Sequence, residues 1–332
     1  MKIIVLTPIK NEEWILDTFI KSCLLFADNI LIADQNSTDK SVEIASKYDK
    51  VTVIKNESKD FNEDERQKLL INKARELFGL HNFLLALDAD EVITSNSLNS
   101  SDWDKIRQAA VGTVFLFDKP TPLFNLDLAL RYSKGFPLGF VDDGSEHYPS
   151  QIHSTRIPTP ANSSKIFIES ISFLHLCFMR EKIQFSKNRY YCTLEKIKKE
   201  RNLRVRRLMY SFFSPKDYIQ KGDFDTLDNN WYKLYDDKGI NLRKFKDDDY
   251  YYMDFEVLKI FNKFGAKLFY NEPIWHFDWE SCRLEGIKRG IEGIPLEPIK
   301  SPNKIYIYLI DHFFFFFNFI TYAKRRLQKQ HF

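Results

Sequence analysis

One stretch limits the fold more than any other. Leu84-Leu85-Ala86-Leu87 runs apolar without alternation and ends abruptly in Asp88-Ala89-Asp90-Glu91. An unbroken apolar run of this length reads as a strand buried on both faces, as inside a parallel or mixed sheet. The carboxylates then stand at its C-terminal end, the edge where open α/β sheets bind ligands. In extended chain Asp88 and Asp90 point to the same side and can share one hard cation. An Asp-x-Asp alone is equally the mark of an acidic turn, so its meaning depends on what surrounds it.

The preceding residues repeat the pattern. Ile3 to Leu6 is a short buried strand that Pro8 is expected to stop, and Asn11 with Glu12 and Glu13 supplies a helix cap and an acidic first turn. Ile15, Leu16, Phe19, Ile20, Cys23 and Leu24 give the helix an apolar face. Ile30 to Ala33 is a second strand, again ending in an acid, Asp34. Gln35-Asn36-Ser37-Thr38-Asp39 is a loop whose Ser37 or Asp39 can cap a short helix through Tyr48. Val51 to Ile54 is a third strand, and Leu69, Leu70, Ala74 and Leu77 mark a long helix leading to Phe83. Strand and helix in alternation predict a doubly wound sheet. Neither GxGxxG nor GxxxxGK[ST] occurs, so dinucleotide and P-loop readings lose their main support.

At 332 residues, 44% of them apolar, the chain can bury one large core or two modest ones. A net charge of +3 is too small to imply a nucleic-acid partner. Cys23, Cys177, Cys192 and Cys282 form no CxxC pair, which argues against a zinc site or disulfide scaffold and fits a reducing compartment. The first residues are too short for a signal-peptide core and read as the first strand.

Three segments together, Thr7-Pro8-Ile9-Lys10-Asn11-Glu12-Glu13, Ile32-Ala33-Asp34-Gln35-Asn36-Ser37-Thr38-Asp39 and Leu87-Asp88-Ala89-Asp90-Glu91, with Arg66 upstream of the last, resemble the glycosyltransferase family 2 sequences of the GT-A fold. The likeness spans residues 3 to 91 and rests on the order and spacing of the motifs. It implies a GT-A type, Rossmann-like mixed and mostly parallel sheet flanked by helices, with a helical C-terminal extension. It implies, too, a nucleotide-diphosphate-sugar donor site. Pro8, Lys10, Asn11, Glu12 and Asn36 would line the base and ribose, Asp34 would bond the nucleobase, and Arg66 would meet the diphosphate. Asp88 would serve the ribose and, with Asp90, a divalent Mn²⁺ or Mg²⁺. His175, in Phe173-Leu174-His175-Leu176, looks like the late histidine that many such enzymes place on the metal. Gln35 and Asn36 depart from the Asp and Gly common in that loop, so the base is not named.

The residue types suit glycosyl transfer. A leaving nucleoside diphosphate develops negative charge, which an oxygen-bound cation and Arg66 can neutralise. An inverting transfer needs a carboxylate base for the acceptor hydroxyl. Glu146 and Asp143, in Asp142-Asp143-Gly144-Ser145-Glu146, are the first candidates, with Glu169 behind them. His153 sits near where some relatives carry a His-Glu pair, but Ser154 replaces the Glu.

The expected organisation is a catalytic domain over 1–178, divided into a nucleotide-sugar half (1–91) and an acceptor half (92–178). A mostly helical extension over 179–300 would pack on its core, Trp275 and Trp279 included, and a Phe-rich basic tail would cover 301–332. Arg180 to Arg207 holds eleven Lys or Arg against three Glu, and Asp223 to Glu256 reverses this with ten acids against five bases. The basic segment reads as a solvated helix face. Ile305 to Ala323 is mostly apolar and is followed by Lys324-Arg325-Arg326 and Lys329, but Asp311, His312, Asn318 and Thr321 interrupt it. An interfacial helix over 305–329 fits better than a span, with docking on protein as its alternative. The expected function is metal-dependent, inverting transfer of a sugar to a hydroxyl of a cell-surface glycan or lipid-linked acceptor, in the cytoplasm on the inner face of the plasma membrane. A sugar nucleotidyltransferase and a non-catalytic nucleotide-sugar-binding scaffold are the competing readings.

Overall fold

The computed structural model describes residues 1–58, 62–123, 127–130, 135–148, 155–211, 224–314 and 316. His153, Ser154 and the tail after Phe316 lie outside the described residues. The chain divides into one unit made of residues 1–179 and 223–245 and another made of 180–222 and 246–332.

The first unit is built on strands β1 (Ile3–Ile9), β2 (Asn29–Asp34), β3 (Val51–Lys55), β4 (Phe83–Ala86), β5 (Glu91–Ile93), β6 (Val114–Asp118), β7 (Thr121–Pro122), β8 (Leu128–Leu130), β9 (Phe136–Val141), β10 (Lys165–His175) and β11 (Phe224–Thr226). Eight of them form a mixed sheet in the order β3-β2-β1-β4-β9-β6-β10-β5, and β11-β8-β7 make a small second sheet. β1 pairs in parallel with β2 and β4, and β2 with β3. β9 is inserted antiparallel between β4 and β6, while β10 runs parallel to β6. Two reversals restore the direction, so β6 and β10 point the same way as β4. The C-terminal ends of β1, β2, β4, β6 and β10 therefore share one edge.

The central strands are buried on both faces, as their unbroken apolar runs require. Ile3, Val5, Ile30, Ile32, Phe83 and Leu85 belong to a core that includes Leu16, Phe19 and Ile20 of helix α1 (Leu16–Cys23). Ile4, Leu6, Leu31, Ala33 and Leu84 pack with Leu70, Ile71 and Ala74 of helix α3 (Glu63–Phe78). Between them lies the short helix α2 (Ser41–Ala45). The Asn62 side chain caps α3, accepting from the backbone N–H of Asp64 at 3.1 Å.

Pro8 does not stop β1 but lies inside it, paired with Ala33. Leu87 N–H donates to the Leu6 carbonyl at 3.1 Å, so the backbone of the even-numbered β1 residues turns toward β4. The last β4 pair is Leu6 with Ala86, and Pro8 falls beyond it, where a missing N–H costs the ladder nothing.

The domain boundaries differ from those expected, because residues 224–245 return to the first unit. Trp231, Tyr232, Tyr235 and Leu242 are buried in its core. The Tyr235 hydroxyl donates to the Ile93 carbonyl at 2.7 Å, and Ser95 accepts from Leu234 N–H at 2.8 Å. The acidic balance of this segment had hidden its aromatic anchors.

The second unit contains helices Glu181–Lys198, Leu203–Tyr210, Tyr252–Phe264 and Trp279–Lys288, with a further helix over 304–314. Its core gathers Tyr210, Phe261, Phe269, Trp275 and Trp279. Trp275 stacks on Phe261 with centroids 5.6 Å apart, so both tryptophans are spent inside this unit. The basic segment is only in part a solvated face. Arg189 bonds Asp254 at 2.7 Å, Arg206 bonds Glu272 at 2.5 Å, and Lys182 bonds Asp249 at 2.5 Å. Arg206, Arg207, Asp254 and Glu272 are buried, which such charges accept only when paired. The opposite charge balances of the two segments thus answer each other. Asp311 belongs to the same scheme: it bonds Arg207, and its other oxygen lies 2.7 Å from His276 Nε2.

Candidate active site

Three loops leave the shared edge at Pro8, Asp34 and Asp88. Gln35 N–H donates to the Ile9 carbonyl at 2.9 Å, and Asn56 N–H, after β3, to the Asp34 carbonyl at 2.8 Å. The loops after β1 and β2 are stitched together. Asn11 N–H donates to Ser37 Oγ at 2.9 Å, Asn11 Oδ1 accepts from Thr38 N–H at 2.8 Å, and Glu12 N–H donates to Ser41 Oγ at 2.8 Å. Asn11 and Asn36 both take left-handed backbone, at φ 60° and 53°, a conformation that asparagine tolerates better than most residues. Asn11 therefore braces the second loop instead of capping α1, which begins at Leu16 without a side-chain cap. Asp34 is buried, and its carboxylate accepts from Ser37 N–H at 3.2 Å. Lys10 and Glu12 are half-buried beside it, and Asn36 is exposed.

Beyond β4 the chain turns instead of continuing extended, with Glu91 N–H on the Asp88 carbonyl at 2.9 Å. Asp88 and Asp90 thereby take separate partners. Asp88 bonds Arg156, and Asp90 Oδ1 lies 3.9 Å from His175 Nε2. The residue that organises the turn is Glu91, which is fully buried. It accepts from Arg156 Nη1 at 2.6 Å, from Lys119 Nζ at 2.9 Å and from Asp88 N–H at 3.0 Å. Burial works to raise the Glu91 carboxyl, but Arg156, Lys119 and His175 outweigh it and hold the group well below the usual carboxylate range. Burial likewise opposes charge on Arg156, and Asp88 and Glu91 overcome it and raise the guanidinium further.

Arg66, in the first turn of α3, lines a narrow cleft with Pro8, Asp88 and Arg156. The cleft holds about 10 Å³, no more than one water needs. Two guanidinium groups and one Asp thus converge where the loops after β1 and β4 meet. Arg156 and Lys119 were not foreseen from sequence. The one sign of them was Glu91 itself, an acid within an apolar run that burial would force to find cations.

The sharing of one cation by Asp88 and Asp90 alone is not what the turn provides. Among the described residues no group of three His, Cys, Asp or Glu side chains is arranged to hold a metal ion. A nucleotide-bound Mg²⁺ or Mn²⁺ needs less from the protein, since phosphates and water supply most of its ligands. Asp90 and the half-buried His175 beside it fit that smaller demand.

Asp143 does not join this edge. β9 is antiparallel to β4, with Val141 opposite Phe83, so the chain after β9 emerges where β4 begins. Asp142 there is fully buried on Arg75, at 2.7 Å. The length of β4 separates the two edges by roughly 13 Å at about 3.3 Å per residue. Glu146 is exposed and bonds Tyr148, beside His147, whose Nε2 lies 3.0 Å from Oε1 of the cleft residue Gln67, and Glu169 is exposed midway along β10. Asp118, buried at the end of β6, stands at the edge that carries Asp34 and Asp88.

Residues 4–100 match the sequence model of glycosyl transferase family 2. No curated protein sequence matches the chain. Among solved structures, a nucleotidyl transferase from Methanothermobacter thermautotroptrophicus is 14% identical, with a TM-score of 0.24, over 35% of this chain and 62% of its own length. S. aureus TarS 1–349, solved in complex with UDP, is 13% identical, with a TM-score of 0.35, over 91% of this chain and 100% of its own. The span of 4–100 that resembles glycosyl transferase family 2 encloses the loops at Pro8, Asp34 and Asp88.

Proposed function

We propose that the chain transfers a sugar from a nucleotide diphosphate to a hydroxyl of a cell-surface glycan or lipid-linked acceptor, with inversion. The observation that carries this reading is the convergence of Pro8, Arg66, Asp88 and Arg156 on one cleft, at the edge that also carries Asp34. In this reading Asp34 accepts a hydrogen bond from the base, while Pro8, Lys10, Asn11, Glu12 and Asn36 border base and ribose. Asp88 meets the ribose, and Arg66 and Arg156 face the diphosphate. Asp90 and His175 hold a divalent cation, which when bound neutralises charge on the leaving diphosphate. Asp118 takes the proton of the attacking hydroxyl. Hydrolysis of a panel of nucleotide sugars, with and without Mn²⁺, tests the reading. Metal-stimulated release of one nucleoside diphosphate supports it, and none from any donor overturns it.

The acceptor is reached, in the same proposal, from the inner face of the plasma membrane. No helix among the described residues is long and apolar enough to cross a bilayer. On the helix over 304–314, Asp311 faces Arg207 and His276, whereas Ile305, Tyr308, Leu309, Phe313 and, just beyond, Phe316 are exposed. Their spacing makes one apolar stripe on the side away from Asp311. An exposed stripe of rings, followed in sequence by Lys324, Arg325, Arg326 and Lys329, is suited to an anionic lipid surface. The part of 305–329 after Phe316, and Phe315, lie outside the described residues.

A further inference from the structure

The second unit holds a cavity of about 360 Å³, within the size range of small-molecule sites and far larger than the cleft beside Asp88. Phe185, Tyr250 and Phe277 contribute aromatic surface, and Lys182, Asp249 and Asp278 contribute polar groups at its wall. It lies wholly outside residues 4–100, and nothing in the donor site explains it.

The charges around it decide what it can take. Lys182 Nζ lies 2.5 Å from Asp249, Arg189 is 2.7 Å from Asp254, and His276 is 2.7 Å from Asp311. Each cationic side chain therefore faces a carboxylate, which leaves little positive charge for a phosphate. Asp278 is directed to its own helix, accepting from Ser281 N–H at 3.0 Å and Ser281 Oγ–H at 2.7 Å. An acyl chain fits no better, because it would strip water from Lys182 and Asp249 without replacing their hydrogen bonds. What matches aromatic walls beside balanced donors and acceptors is a neutral ligand with an apolar C–H face and a rim of hydroxyls. The Lys182–Asp249 pair can meet such hydroxyls, since an ammonium has three donors and a carboxylate about four acceptor positions.

We propose that this cavity is a binding site for a neutral sugar unit, separate from the donor site. The proposal does not rest on the family 2 reading and can fail without it. Tyr250 stands edge-on to Phe277, with centroids 6.0 Å apart, and Arg189 covers a face of Phe277 at 3.8 Å. Phe277 is thereby held fixed, and Tyr250 is the wall whose loss should matter most.

Saturation-transfer NMR on the full chain, with the methyl glycosides of glucose, galactose, N-acetylglucosamine and rhamnose and with glucose 6-phosphate, tests this. The expected result is transfer to the ring protons of at least one neutral glycoside, undiminished by saturating UDP. Affinity should weaken about tenfold or more in Tyr250→Ala and in Lys182→Met, each confirmed folded by circular dichroism. Lys182 is exposed, so its variant carries the test should Tyr250→Ala not fold. Four results overturn the proposal: no transfer to any neutral glycoside, tighter binding of glucose 6-phosphate, binding that UDP displaces, or binding that both variants retain.

Discussion

Nη1 of Arg156 lies 2.6 Å from Oε2 of Glu91, joining residues 65 positions apart across the end of β4. The same guanidinium bonds Asp88, so one side chain ties the buried acid to the acid that borders the cleft. Arg156→Ala should leave Glu91 with Lys119 and the Asp88 N–H and destabilise the fold by about 3 kcal/mol, as breaking buried pairs does. Arg156→Lys keeps the charge but cannot serve both carboxylates, and it should spare stability more than nucleotide binding. Denaturant melts set beside nucleotide titrations separate the two effects.

Stability should fall in acid partly through Glu91. Its folded value is depressed, so its contribution is complete above the ordinary carboxyl value of about 4.3 and fades as pH drops through the lower folded value. Glu91→Gln should be less stable at neutral pH and should lose less on acidification. Melting temperature followed from pH 7 into acid checks both.

The base should not lie after β9. Asp143→Asn should retain transfer near the wild-type rate because Asp143 stands at the edge where β4 begins, and Glu146→Gln should do the same because its exposed carboxylate is held by Tyr148. Asp118→Asn should abolish transfer while nucleotide binding persists. Steady-state turnover of the three variants decides among them.

Asp90→Asn should remove most activity with little change in melting temperature, the lost carboxylate having stood beside His175 and outside the direct Glu91–Arg156 and Glu91–Lys119 bonds. Its deficit should be largest at low Mn²⁺. Rate measured across a metal titration checks it.

Phe313→Asp together with Phe316→Asp should reduce binding to vesicles containing phosphatidylserine, since both rings are exposed, and should leave the fold intact. Flotation of wild-type and doubly substituted chains provides the comparison.

The first four parallel strands were legible because each is an unbroken apolar run ending in a turn or an acid, and burial on two faces leaves that trace. Their common edge followed from the same signal. Strand direction leaves no such mark. Leu138 to Val141 reads as a strand whichever way it runs, and its antiparallel insertion is what carries Asp143 to the edge where β4 begins. Arg156 was hidden because it occupies a turn-rich stretch with no periodicity, and a pair 65 residues apart has no local pattern. The basic and acidic segments were visible as totals, but only folding shows Arg189 on Asp254 and Lys182 on Asp249. Asp311 was read as an interruption of an apolar helix, and it is instead the helix's hold on Arg207 and His276.

Calorimetric titration of UDP, GDP and CMP, with and without Mn²⁺, into wild-type chain and Asp34→Ala addresses the donor site most directly. One nucleoside diphosphate should bind wild type, more tightly with Mn²⁺, and should bind Asp34→Ala about tenfold or more weakly, the loss expected for one charge-assisted hydrogen bond. Binding of none of them, or equal binding to both proteins, would contradict a donor site at the edge that Pro8, Asp34 and Asp88 share.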